Sequence, residues 1–263
     1  MRAIILAAGR GSRLHPYTED CPKCLTILGG ETLIGRQLSV LRACGIEDIT
    51  IVTGYRAEML CLPDTTQVMN KAWETTNMVE SLFTADDLFG SDLIVSYSDI
   101  VYEPRVLRAL LDSSEDISVV VDKGWRYYWE FRFDDPLSDA ESLRINTQGE
   151  ITNIGNKVKD IEEIEAQYIG LMRFKNSGIK TLRSARQSMQ ENHRPWKNSW
   201  SFQNAYMTDL LMEVILTGGR ITSVPVQNGW LEIDTVTDYE GAEARFVDGT
   251  IKTFFKPSEG TPS

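Results

Sequence analysis

Gly9 and Gly11 interrupt the small-residue run Leu6-Ala7-Ala8-Gly9-Arg10-Gly11-Ser12, and Arg13 and Pro22-Lys23 follow. Glycines carry no Cβ and accept positive φ, so such a loop lets backbone N–H groups close on a polyphosphate. Arg13 and Lys23 supply charge. When a nucleoside triphosphate reacts, negative charge grows on the departing pyrophosphate, and cations held there stabilise the transition state more than the ground state. A tight strand-to-helix turn with surface cations is the alternative, and the offsets of Arg13 and Pro22-Lys23 favour the phosphate reading.

Other motifs compete less well. Gly9-x-Gly11 begins like a dinucleotide fingerprint, but Leu14 stands at the third glycine position. Cys21-Pro22-Lys23-Cys24 matches C-x-x-C, yet Cys44 and Cys61 are isolated and the histidines are His15 and His193, so a four-ligand zinc site is not expected. His15 beside Pro16 reads as a loop residue near the phosphates, because an ionised acceptor needs little deprotonation by a base.

The elements that must position these residues alternate. Ala3 to Leu6 is an apolar run of the kind buried on both faces of a parallel sheet. A helix is predicted from Thr32 to Cys44, stopped by Gly45, then a strand from Asp48 to Thr53, which together form a βαβ unit. The alternation continues with a helix over Met78–Leu88, a strand over Leu93–Ser98, a helix after Pro104 to Leu111 and a strand over Ile117–Val121. After a break it resumes with a strand at Tyr168–Phe174, helices near Asn176–Gln190 and Gln203–Leu216, a strand at Ile221–Val226 and a helix from Thr237.

This order predicts an α/β fold with a mostly parallel, Rossmann-like mixed sheet flanked by helices, and ligands at the carboxyl ends of its strands. One domain is expected over residues 1–247, with a β-rich insert at about 123–167 and a loosely held tail at 248–263. Within the insert, Trp125, Tyr127, Trp129, Phe131 and Phe133 occupy alternate positions, which predicts a strand with one aromatic face.

The composition sets bounds. The 263 residues are 42% hydrophobic and 25% charged, as in a globular chain with a sizeable core. A net charge of −11 argues against a protein that works by non-specific nucleic-acid binding. In residues 1–25, by contrast, Arg2, Arg10, Arg13 and Lys23 outnumber Glu19 and Asp20. Four cysteines are too few for a disulfide scaffold, and no basic stretch leads into an apolar signal segment, so a cytoplasmic location without a membrane span is expected.

The pattern Leu-Ala-Ala-Gly-x-Gly-x-Arg-Leu-x-Pro-x-Thr followed by Pro-Lys resembles the signature of the sugar-nucleotidyltransferase superfamily. Within it the chain resembles the CTP-using branch, the phosphocholine and phosphonate cytidylyltransferase-like enzymes. The resemblance covers Met1 to about Tyr239 and is weaker in the insert. It implies CMP transfer from CTP to a small phosphate- or phosphonate-bearing acceptor such as phosphocholine or 2-aminoethylphosphonate, with pyrophosphate released. A hexose-1-phosphate enzyme using UTP or dTTP is the alternative within the same chemistry. A non-catalytic nucleotide sensor is the alternative of another class, and it would be free to lose an acidic ligand.

The resemblance also implies two acidic Mg²⁺ ligands, matched here by Asp99 in Ser98-Asp99-Ile100 and Asp234 in Glu232-Ile233-Asp234-Thr235. Taken by itself, each aspartate also reads as a turn or cap residue. Arg13, Lys23, Asp99 and Asp234 are the expected catalytic set. Leu6, Ala7, Ala8, Gly9, Gly11, Ser12, Tyr55, Asn77 and Ser81 are the expected nucleotide contacts besides Arg13 and Lys23, although Asn77 reads equally as a helix N-cap. Lys123, Trp125, Glu141, Asp209 and Trp230 are the acceptor candidates, because tryptophan faces hold ammonium heads and an acid pairs with an amine, although the insert's aromatics also read as core and Asp209 as the cap of the helix that continues Leu210-Leu211-Met212. The expected partners are CTP and the acceptor, with a homodimer as a further expectation.

Overall fold

The computed structural model describes residues 1–192 and 201–257; His193 and the end of the expected tail, residues 258–263, lie outside the described residues. β1 (Arg2–Ala7) is the predicted apolar strand, and its successive side chains divide between two cores, Ala3, Ile5 and Ala7 facing one and Ile4 and Leu6 the other. After the glycine loop come a minimal hairpin, β2 (Ile27–Leu28) and β3 (Glu31–Thr32), and helix α1 (Leu33–Ala43). Thr32 caps α1 by accepting a hydrogen bond from the Gly35 amide at 3.0 Å.

β4 (Ile49–Thr53), β5 (Thr66–Met69), α2 (Met78–Phe83), β6 (Asp92–Tyr97), β7 (Ile100–Tyr102), α3 (Pro104–Leu111) and β8 (Ile117–Asp122) follow. The insert contains α4 (Trp125–Arg132) and an antiparallel hairpin of β9 (Glu141–Ile145) and β10 (Ile151–Lys157). The chain then returns through β11 (Gln167–Lys175), α5 (Ser177–Asn192), α6 (Met207–Leu216), β12 (Thr222–Val226), β13 (Trp230–Glu232) and α7 (Val236–Asp248).

Seven strands form the main sheet in the order β12-β8-β11-β6-β1-β4-β5. β1 pairs in parallel with β4 and β6, and β12 in parallel with β8, while β11 runs antiparallel to both its neighbours. α1, α3 and α4 cover one face and α2, α5 and α6 the other, giving the mostly parallel mixed α/β sheet the sequence predicts. No helix among the described residues is long and apolar enough to cross a membrane.

Two expectations are corrected. The aromatic segment is the helix α4, not a strand. Trp125, Tyr128, Trp129 and Arg132 satisfy i, i+3, i+4, i+7 and are buried, whereas Arg126, Tyr127 and Glu130 face outward. Alternate aromatics therefore concealed a helical stripe whose fourth member is a buried arginine. The first part of the tail is not loosely held: Ile251, Phe254 and Phe255 are buried, the Phe254 carbonyl accepts from the Gly229 amide at 2.6 Å, and the Phe254 ring stacks on Phe131 with centroids 5.5 Å apart.

Candidate active site

Short-range geometry shapes the glycine loop. Gly11 has φ 69° and ψ 39° at the start of a 3₁₀ turn over Ser12–Leu14, and its carbonyl accepts from the Thr18 hydroxyl at 2.8 Å. Lys23 opens a second 3₁₀ turn, Lys23–Leu25, and its stem lies against Gly11: a Cβ at position 11 would stand 2.7 Å from Lys23 Cβ.

Long-range pairing brings the aspartates together. β7 and β13 run antiparallel with Ile100 opposite Glu232, so Asp99, just before β7, meets the chain just after β13. The Ile233 amide donates to the Asp99 carbonyl at 2.9 Å and closes this ribbon.

Lys23 Nζ lies between the two carboxylates, 2.7 Å from Asp99 Oδ2 and 2.6 Å from Asp234 Oδ1. Arg13 Nη1 sits 2.7 Å from Asp234 Oδ2. The four side chains thus form one cluster in which Lys23 and Asp234 are each 9% exposed and Arg13 is 70% exposed. Burial pulls the Lys23 ammonium down, but the charges and hydrogen bonds of Asp99 and Asp234 outweigh it and hold the lysine above its ordinary value.

Asp99 Oδ1 is buried without a hydrogen-bond partner among the described residues. An orphaned carboxylate oxygen beside a second carboxylate fits a hard divalent cation. No group of three or more metal-binding side chains occurs among the described residues, so the remaining ligands would have to be phosphate oxygens and water, which suits Mg²⁺.

Two cavities meet at this cluster. The first, of about 260 Å³, is lined by Leu6, Ala8, Gly9, Gly11, Ser12, Arg13, Lys23, Asn77, Ser81, Asp99 and Asp234 among the expected residues. Ala7 points to the opposite face of the sheet. Tyr55 stands behind the wall: its hydroxyl donates to the Glu19 carbonyl and its ring packs edge-on to Trp73 at 5.6 Å. Trp73 itself lines the cavity and was not anticipated; a lone tryptophan in the loop after an edge strand was its signal. Asn77 combines both of its readings, accepting from the Met78 amide at 2.8 Å as the N-cap of α2 while facing the cavity.

The second cavity, of about 710 Å³, shares Ser12, Arg13, Met78, Tyr97 and Asp234 with the first and extends to Trp129, Asp139, Glu141, Lys157, Tyr168, Tyr206 and Glu232. Of the five acceptor candidates, Glu141 lines it. Trp230 is instead a core residue, 1% exposed, donating from Nε1 to Asp122 Oδ2 at 2.9 Å. Trp125 is buried against Trp129 with centroids 6.0 Å apart. Asp209 is a cap at the start of α6, accepting from the Tyr206 amide at 2.9 Å. Lys123 is exposed, its Nζ donating to the Glu165 carbonyl at 3.3 Å.

The sequence reading missed Trp129 and Glu232 as cavity residues, the former because it reads as an ordinary core aromatic. Burial raises the Glu141 carboxyl above its ordinary range, with Lys157 opposing the shift. Burial pushes Glu232 up to about 7 against the pull of Arg132.

A glycine loop, two cations and two converging carboxylates thus stand together at one edge of an α/β sheet, and the chain belongs to the MobA-like NTP transferase domain family, whose model matches residues 3–156. It is 37% identical over 251 residues to the CTP:phosphoglutamine cytidylyltransferase of Campylobacter jejuni, covering 91% of this chain and 98% of that relative. It is 31% identical over 120 residues to the 2-aminoethylphosphonate cytidylyltransferase of Lancefieldella rimae, covering 41% of this chain and 48% of that one. Among solved structures, the inositol-1-phosphate CTP transferase of T. maritima shares the fold with a TM-score of 0.70 at 24% identity, over 94% of this chain and 96% of the other.

Proposed function

We propose that the protein transfers CMP from CTP to a small phosphate- or phosphonate-bearing acceptor whose far end carries an ammonium group, releasing pyrophosphate. The observation that carries this reading is the meeting of two cavities at Arg13 and Asp234, one lined by the glycine loop and the other by Glu141, Asp139 and Trp129. CTP is favoured by relatives named for its use, and the acceptors in their names join an amino group to a phosphorus oxyanion.

An anionic acceptor oxygen forms the new bond to the α-phosphorus, the bond to the bridging oxygen breaks, and its electron pair leaves on pyrophosphate. Held at this junction, the reactants gain from proximity and alignment. Arg13 and Lys23 neutralise the leaving charge, and the loop amides orient the phosphates. Asp99 and Asp234 are the residues that would hold Mg²⁺, which when bound supplies Lewis-acid neutralisation of phosphate oxygens. Glu141 and Asp139 pair with the ammonium group, and Trp129 walls the cavity beside them.

The test is a matrix of the four common triphosphates against acceptors with and without an amine, read by pyrophosphate release and by the mass of the nucleotide product. Turnover of CTP with amine-bearing phosphates or phosphonates is expected. Turnover confined to UTP or dTTP with hexose 1-phosphates would overturn the reading.

A further inference from the structure

Arg132 ends helix α4 in the insert, far in sequence from the glycine loop, and its side chain is 1% exposed. Its guanidinium packs against the rings of Tyr128, Trp129 and Phe133, with centroid distances of 5.5, 5.0 and 4.9 Å. It forks across the chain on either side of Asp234. Nη1 reaches Glu232 Oε2 at 2.5 Å, while Nε and Nη2 reach the two oxygens of Asp238 at 2.9 and 3.2 Å.

Asp238 in turn grips the turn that carries Asp234. Its Oδ2 accepts from the amides of Asp234 at 3.1 Å and Thr235 at 2.9 Å. A helix cap alone needs the Thr235 contact and no more. Burying a guanidinium is costly, and here it is repaid by two carboxylates and a planar, bidentate fit that lysine cannot reproduce. The result is a rigid link from α4, which presents Trp129 to the second cavity, to the strand-to-helix turn on which Asp234 sits.

We propose that Arg132 is a positioning residue: through Asp238 and Glu232 it fixes the backbone of Asp234 so that its carboxylate stays in register with Asp99 and Lys23. The inference rests on the role given to Asp234 above. A displacement of about 1 Å at a reacting centre costs about 10²-fold in rate, so Arg132→Lys is expected to lower kcat by about that factor, with the KM for CTP in Mg²⁺ rising as the Mg²⁺-dependent part of CTP binding weakens.

The test compares wild type, Arg132→Lys, Asp234→Asn and the double variant. Turnover is one readout. The second, made without acceptor, is the gain in CTP affinity on adding Mg²⁺, measured by calorimetry. If Arg132 acts through Asp234, Arg132→Lys diminishes that gain in the parent but changes nothing further in the Asp234→Asn background. An equal loss in both backgrounds, or a folded Arg132→Lys protein with wild-type kcat and Mg²⁺ gain, overturns the proposal.

Should Arg132→Lys fail to fold by circular dichroism, Asp238→Asn keeps an oxygen for the cap but withdraws the charge that Arg132 grips, and it is expected to show the same kcat loss. Failure of both to fold would also overturn the proposal, because the pair would then be a requirement of the fold. Wild type inactive with every triphosphate sinks the functional reading; an active wild type with an unimpaired Arg132→Lys sinks this inference alone.

Discussion

Alanine at position 11 meets two separate obstacles. The residue holds φ 69° and ψ 39°, a left-handed conformation that costs a residue with a Cβ about 1–2 kcal/mol. The new methyl would also lie 2.7 Å from Lys23 Cβ and 3.0 Å from Lys23 Cδ, and Cβ is the fixed root of that side chain rather than its flexible end. Relief requires the Lys23 backbone or stem to move, and its ammonium then leaves the position between Asp99 and Asp234.

Gly11→Ala is therefore expected to lose at least the 1–2 kcal/mol of backbone strain, seen in urea denaturation or as roughly 2–4 °C of melting temperature per kcal/mol. Its kcat for pyrophosphate release should fall by about 10²-fold or more, as for removal of one preorganised donor. Gly9→Ala is the control for this reasoning. No atom lies within 4 Å of a Cβ built there and its φ is not positive, so stability should be unchanged, while the methyl intrudes on the nucleotide cavity and raises the KM for CTP. Wild-type stability and turnover in Gly11→Ala, or destabilisation in Gly9→Ala comparable to that of Gly11→Ala, would refute the packing described.

Three further outcomes are expected. Lys23→Met should reduce kcat by about 10²–10³-fold, measured by pyrophosphate release at saturating substrates. Burial raises Glu141, so its carboxylate is lost as pH falls at a higher pH than for an exposed glutamate; the KM for an amine-bearing acceptor should climb through that window, and Glu141→Gln should flatten the climb in a pH series. Trp230→Phe leaves buried Asp122 Oδ2 without its indole donor and should cost about 1–3 kcal/mol in denaturant titration, while acceptor KM stays near wild type.

What the sequence disclosed follows from range. The glycine loop, Lys23 and the alternation of strands and helices depend on neighbouring residues, and they were legible. Asp99 and Asp234 entered through family resemblance, because what unites them is the pairing of two three-residue strands, Ile100–Tyr102 with Trp230–Glu232, too short to carry a periodic signal. The aromatic insert misled because Trp125 and Trp129, two of the aromatics at alternate positions, also belong to a helical stripe that Tyr128 and a buried Arg132 complete. Burial of that arginine depends on Glu232 and Asp238, 100 and 106 positions further along the chain. Trp230 looked like a ligand contact for the same reason in reverse, because its indole donates to Asp122, 108 positions away, whereas Asp209 accepts from the Tyr206 amide three residues back as a local helix cap.

The central claim is that Asp99 and Asp234 converge with Lys23 and Arg13 to drive nucleotidyl transfer. Its most direct measurement is the rate at which α-labelled CTP delivers label to an amine-bearing phosphate or phosphonate acceptor, in wild type and in Asp99→Asn and Asp234→Asn proteins of unchanged circular dichroism. Label should move to the acceptor in wild type, and the rate should drop by orders of magnitude in both variants. Transfer at the wild-type rate in either folded variant would contradict the claim.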